Sequence, residues 1–179
     1  MTNLTFFHRT FILPACVLLL LAGAAALPLF AADAQKLDES GWVLPDANLG
    51  SGWHVRIKDA CAQAAKENKP ILILFTGPDW SSSCKRMESS IIRSKEFAST
   101  VLPSVVGLYV RHFVDGAAPD EQIDANHSLR KSLNAPPVYP CTILIASDGK
   151  KILGTLPGLP EKKAYLQWIV EQTGIETAK

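Results

Sequence analysis

Residues 69–86, KPILILFTGPDWSSSCKR, restrict the possible folds more than any other stretch of the chain. Residues 71–75 are five consecutive apolar side chains, β-branched or large aliphatic with a closing Phe, and such a run suits a short buried strand. Thr76-Gly77-Pro78-Asp79 follows as turn chemistry. Beyond Trp80 and Ser81-Ser82-Ser83, the residues Cys84, Met87 and Ile91 stand at i, i+3 and i+7, one stripe of a helix. A buried strand that turns sharply into an amphipathic helix needs partners on more than one side. That points to layered α/β architecture.

The flanking chain supplies those partners. Ile57, Ala60, Cys61, Ala64 and Ala65 fill i, i+3, i+4, i+7 and i+8 of a helix that Asn68-Lys69-Pro70 ends, which puts Cys61 on the buried stripe as a core thiol. Residues 93–103 continue helically with a break, and 105–114 read as a second buried strand. After a turn at 115–119, residues 120–133 form a helix with Ile123, Leu129 and Leu133 inward. Tyr139-Pro140-Cys141 leads into a strand at 142–146. Ser147-Asp148-Gly149-Lys150 is a tight turn, 151–156 pairs back as a hairpin, and a last helix at 161–173 stops at Gly174. Alternating helices and strands predict a parallel core, and the hairpin adds an antiparallel edge.

Residues 1–34 read as an export signal: Arg9 is the positive flank, 10–32 carries no charge, and Ala32-Asp33-Ala34 offers a small-x-small cleavage site. The protein is thus expected to be periplasmic or secreted. The alternative is an uncleaved membrane anchor over 11–30, close to the ~20 residues a spanning helix needs. Leu13-Pro14-Ala15-Cys16 has lipoprotein-like composition, but Cys16 precedes most of the apolar run. Residues 35–51 form a lead-in with Trp42 and Leu44 as its bulky anchors, expected to pack loosely on a domain spanning 52–175. Removing the signal takes Cys16 and leaves Cys61, Cys84 and Cys141, so at most one internal disulfide can form in an oxidising compartment. The net charge of +1 comes from scattered residues and gives neither a nucleic-acid footprint nor a polybasic membrane patch. Membrane contact is expected only through an uncleaved N-terminus.

Taken together, KPILILF, the Trp-x-x-x-Cys helix start, Tyr139-Pro140 before a strand and the Asp148-Gly149-Lys150 hairpin resemble the thioredoxin superfamily over about 52–174, nearly the whole mature chain. The resemblance implies a three-layer α/β/α sandwich whose mixed sheet has a parallel core and a C-terminal antiparallel hairpin. The Phe-Thr-Gly-x-Asp-Trp turn is similar to the exported branch, whose members read Trp-Cys-x-x-Cys where this chain has Trp80-Ser81-x-x-Cys84. A dithiol cycle needs an attacking thiolate and a second, resolving sulfur. The attacker's position here is Ser81, whose hydroxyl has no neighbouring base in sequence, and Leu74 stands where many relatives carry a buried acid. Ser81 suits a helix N-cap. Cys84 reads either as a lone reactive thiol or as a small core residue.

The resemblance also makes Tyr139-Pro140 the cis-proline loop facing the motif. In relatives this loop offers its backbone to an extended peptide, and Trp80 with Tyr139 would shape a shallow groove there. Cys141 is brought near the 81–84 helix, which suggests a Cys84–Cys141 disulfide unless strand alternation points Cys141 away. Cys84 and Cys141 with His54, His112 or His127 could suit a soft ion such as Cu(I), but no pair has a recognisable spacing, and neither metal nor cofactor is expected. The leading expectation is a non-catalytic module holding an exported protein or peptide at Trp80, Tyr139 and Pro140. The alternative is a thiol–disulfide oxidoreductase or redox sensor using Cys84, with or without Cys141.

Overall fold

A computed structural model describes residues 35–114 and 116–174; the expected export signal, and its alternative as an anchor, lie outside the described residues. Five strands, β1 (Trp53–His54), β2 (Ile71–Thr76), β3 (Val106–Arg111), β4 (Cys141–Ile145) and β5 (Ile152–Pro157), form one sheet in the order β1-β3-β2-β4-β5. The apolar run at the start of β2 explains its central place, for all six of its residues are buried. It pairs in parallel with β3 from Ile71↔Val106 to Thr76↔Arg111, and antiparallel with β4 from Ile71↔Ile145 to Phe75↔Cys141. β1 joins β3 in parallel at one edge, and β5 closes the other as the antiparallel arm of the hairpin.

Alternation along these strands feeds two cores, one on each face. Ile71, Ile73 and Phe75 pack with Ala60 and Ala64 of α1 (Ile57–Glu67) and with Leu129 of α4 (Asp120–Ser132). On the opposite face, Leu72 and Leu74 meet Met87 of α2 (Ser82–Met87), Phe97 of α3 (Lys95–Thr100) and Tyr165 and Ile169 of α5 (Lys162–Thr173). The result is the three-layer sandwich with a mixed sheet. Residues 88–92 continue α2 in a widened turn, in which the Arg93 N–H reaches the Glu88 carbonyl five residues back at 3.0 Å.

Three local expectations need correction, and one strand was not anticipated. The two-residue β1 had no periodicity to announce it, yet its Trp53 ring stacks 6.3 Å from Phe97. That ring lies against Gly107, where a Cβ would come within 2.8 Å of it. Cys61 is only half-buried, at the margin of the α1 stripe. In α4 the most buried residues are the polar Gln122 and Asn126; Leu129 and Leu133 do pack inward against the core, though partly exposed, as is Ile123.

Gln122 also overturns the expectation for the lead-in. Its amide accepts from the Val43 N–H at 2.8 Å and donates to the Val43 carbonyl at 3.0 Å, as a neighbouring strand would. Trp42, Val43 and Leu49 are buried, so Val43 and Leu49, and not Leu44, join Trp42 as anchors. Arg56 lies 4.2 Å over the Trp42 ring and pairs with Asp38 at 2.6 Å. Burial acts to raise the Asp38 pKa, but the Trp42 N–H, Ser40 and Arg56 outweigh it and hold it at about 2. The lead-in is a fixed part of the domain.

Candidate functional site

The register places the C-terminal ends of β2 and β3 and the first residue of β4 at one end of the sheet. From β2 the chain turns at Gly77 and enters α2. The N-cap is Ser81, whose Oγ accepts from the Cys84 N–H at 3.3 Å, a type of cap worth about 1 kcal/mol over alanine. Trp80 lies at the surface, 45% exposed, and its Nε1 donates to the His112 carbonyl just past β3 at 2.9 Å. The indole covers Gly77 so closely that a Cβ there would sit 2.4 Å from the ring. Opposite, the Tyr139–Pro140 peptide bond is cis, and Tyr139 meets Trp80 edge-on with 5.2 Å between ring centroids. Pro140 is buried, and the β4–β2 ladder begins only at Cys141.

Trp80, Tyr139 and Pro140 are thus brought together. The described cysteines are not bonded to one another. Cys61, Cys84 and Cys141 are all free thiols, so the suggested Cys84–Cys141 bridge is absent from the structure. Cys141 belongs to the core on the α1/α4 face, whereas the α2 stripe of Met87 and Ile91 packs on the other face. Cys84 has 0% exposure beneath the start of the helix. Burial pushes the Cys141 thiol pKa up, against the opposing charge of Arg130. Among the described residues no group of three His, Cys, Asp or Glu side chains is placed to hold a metal ion. His54, in β1, lies apart from this end and contacts Gln63 of α1.

Two further groupings could not be read from the sequence. Glu88, four residues after Cys84, is only 4% exposed and accepts from Thr76 Oγ1 at 2.7 Å and from the Tyr109 hydroxyl at 3.0 Å. Burial raises its pKa above the usual carboxylate range, although both hydrogen bonds and the charges of Arg93 and Arg111 act the other way. Its spacing carries the signal: Cys84, Met87, Glu88 and Ile91 occupy i, i+3, i+4 and i+7 of one inward stripe. A buried acid therefore exists in this protein, on α2 and not at position 74.

The second group flanks Tyr139. His112 and His127 stack at 5.2 Å, with Nδ1 of the first 3.3 Å from Nε2 of the second. Arg130 covers the Tyr139 ring at 4.1 Å and the Phe75 ring at 5.2 Å, and its Nη2 donates to the Pro136 carbonyl. These side chains, with Lys131 and Asn134, line an open groove of about 610 Å³. His127 and Arg130 are three apart on α4, hence neighbours on one face.

No protein-family model matches the chain. It is similar to the thioredoxin-related protein DsbJ of Chlamydia pneumoniae, 23% identical over 100 residues that make up 56% of this chain and 28% of that protein. It is also similar to the disulfide bond reductase DsbH of Chlamydia pneumoniae, 28% identical over 102 residues, 56% of this chain and 61% of the relative. The match spans less than two thirds of either relative. Among solved structures, a DsbH oxidoreductase superposes with a TM-score of 0.63 at 21% identity, covering 80% of this chain and 94% of that one. A thioredoxin from Thermus thermophilus gives 0.53 at 14% identity, covering 66% and 84%. The fold is that of thioredoxin.

Proposed function

We propose that this protein is an exported thioredoxin-fold module that holds an extended segment of a partner polypeptide at Trp80 and the Tyr139–Pro140 loop, without a dithiol cycle. The carrying observation is the pairing of an oxygen at position 81 with a Cys84 thiol that has 0% exposure. Exchange with a client disulfide needs a thiolate within reach and a second sulfur to resolve the adduct. Ser81 supplies neither, and Cys84 lies under the helix cap. What faces solvent is a rigid aromatic surface beside a loop whose backbone precedes the β4 ladder, a setting suited to strand addition. Export rests on the 1–34 signal; among the described residues no helix is long and apolar enough to cross a membrane.

The names of the two Chlamydia pneumoniae relatives favour a second reading, in which Cys84 acts as a single redox thiol. One set of measurements separates the two. On the holding reading, iodoacetamide leaves Cys84 unmodified until the protein is denatured, and insulin is not reduced. An acetylated, amidated decapeptide of alternating Thr and Val with a central Gln binds, and Trp80→Ala weakens that binding about tenfold or more while Cys84→Ser does not. Insulin turnover that disappears in Cys84→Ser overturns the holding reading in favour of the second.

A further inference from the structure

The peptide face does not stand alone, for the open groove lined by His112, His127, Arg130, Lys131, Asn134 and Tyr139 adjoins it directly. The chemistry of this groove is one-sided. Among the described residues its lining contains two imidazoles, a guanidinium and an ammonium, and no carboxylate. Three other arginines of the domain are paired: Arg56 with Asp38, Arg93 with Asp46, and Arg111 with Asp79. Arg130 and Lys131 have no ion pair among the described residues.

Arg130 is fixed as a source of charge. Its guanidinium lies between the faces of Tyr139 and Phe75, its Nη2 is given to the Pro136 carbonyl, and its Nη1 is buried without a hydrogen-bond partner. An arginine held this way keeps its full charge but cannot present a free fork to a ligand. Lys131 and His127 are exposed beside it and provide the reachable donors. Thus a partly buried cation sets the local potential and two exposed donors complete the contact.

We infer that this groove takes a carboxylate of the polypeptide held at Trp80 and Tyr139, so that acidic extended segments are the preferred partners. The inference rests on the holding reading above and adds a substrate class to it. A peptide carboxylate fits better than a phosphate backbone because the groove continues a peptide-edge surface. The whole chain, at a net charge of +1, also offers no extended basic track.

The test uses the full mature chain and the Thr/Val decapeptide with a central Gln, a matched probe with Glu in its place, and a Gln probe with a free C-terminus. At low salt the Glu probe binds about tenfold more tightly than the Gln probe, and the ratio falls below about twofold in 0.5 M salt as screening removes the charge contribution. Lys131→Gln combined with His127→Gln reduces the low-salt ratio to about twofold or less and leaves the Gln probe's affinity unchanged. A gain for the free C-terminus equal to that for Glu also supports the inference and identifies the chain end as the carboxylate source. Equal binding of the Glu and Gln probes, with both still dependent on Trp80, overturns the inference and leaves the holding reading standing. A Glu preference intact in the double variant places the carboxylate elsewhere and overturns it too. Tighter binding of an oligothymidylate than of the Glu probe overturns it in favour of a phosphate-backbone site. Failure of every peptide to bind overturns both readings.

Discussion

Glu88 shows how far one residue can depart from what its sequence position advertises. Its folded-state pKa is raised chiefly by burial, so the folded chain holds this proton more tightly than the unfolded chain does. Stability from this group is therefore complete below the ordinary carboxylate value near 4.5 and falls as pH rises through that value towards the folded one. The slope approaches about 1.4 kcal/mol per pH unit within that window. Glu88→Gln keeps an oxygen for the Thr76 and Tyr109 hydroxyls and removes the charge. Its melting temperature should match the wild type near pH 4 and exceed it at pH 8 by several degrees, about 2–4 °C for each kcal/mol recovered. A variant that loses stability equally at both pH values would mean that the carboxylate is ionised and well compensated in the fold.

At the level of elements, β2, its turn and α2 follow closely from the apolar run and the cap. The parts that depended on tertiary contacts did not. β1 is only two residues long and exists through its pairing with β3, so no periodicity could mark it. The polar buried residues of α4 were hidden because a 3.6-residue pattern looks for apolar side chains, whereas Gln122 is buried by bonding to a distant backbone. The proximity of Trp80 to the Tyr139–Pro140 loop was legible, but the His112, His127 and Arg130 cluster was not, since it joins the end of β3 to α4 across the fold. The turn itself makes a firm prediction. Gly77→Ala would place a methyl group inside the Trp80 indole, so the ring must leave the His112 carbonyl. The near-UV circular dichroism of Gly77→Ala should shift towards that of Trp80→Phe, with about 1–3 kcal/mol of stability lost. An unchanged spectrum would show that the ring is mobile at rest.

For the molecule as a whole, the lead-in is the surprise. Its composition of Gly, Pro, Asp and Asn suggested loose attachment, but Trp42, Val43 and Leu49 enter the core and Gln122 bonds Val43 in both directions. Gln122→Leu keeps the bulk and leaves a buried N–H and a buried carbonyl without partners, each worth about 1–3 kcal/mol. The melting temperature should drop by roughly 5–10 °C, and amide exchange at Val43 should speed up more than at Ile73. Uniform acceleration across both positions would mean instead that the strap and the sheet open together as one unit.

The Ser81 hydroxyl that caps α2 and the thiol that a cysteine would place there differ by a single atom. Its oxygen already sits 3.3 Å from the Cys84 amide, and Cys84 waits one turn below. On the holding reading proposed above, one atom at position 81 thus separates this helix start from a Cys-x-x-Cys pair.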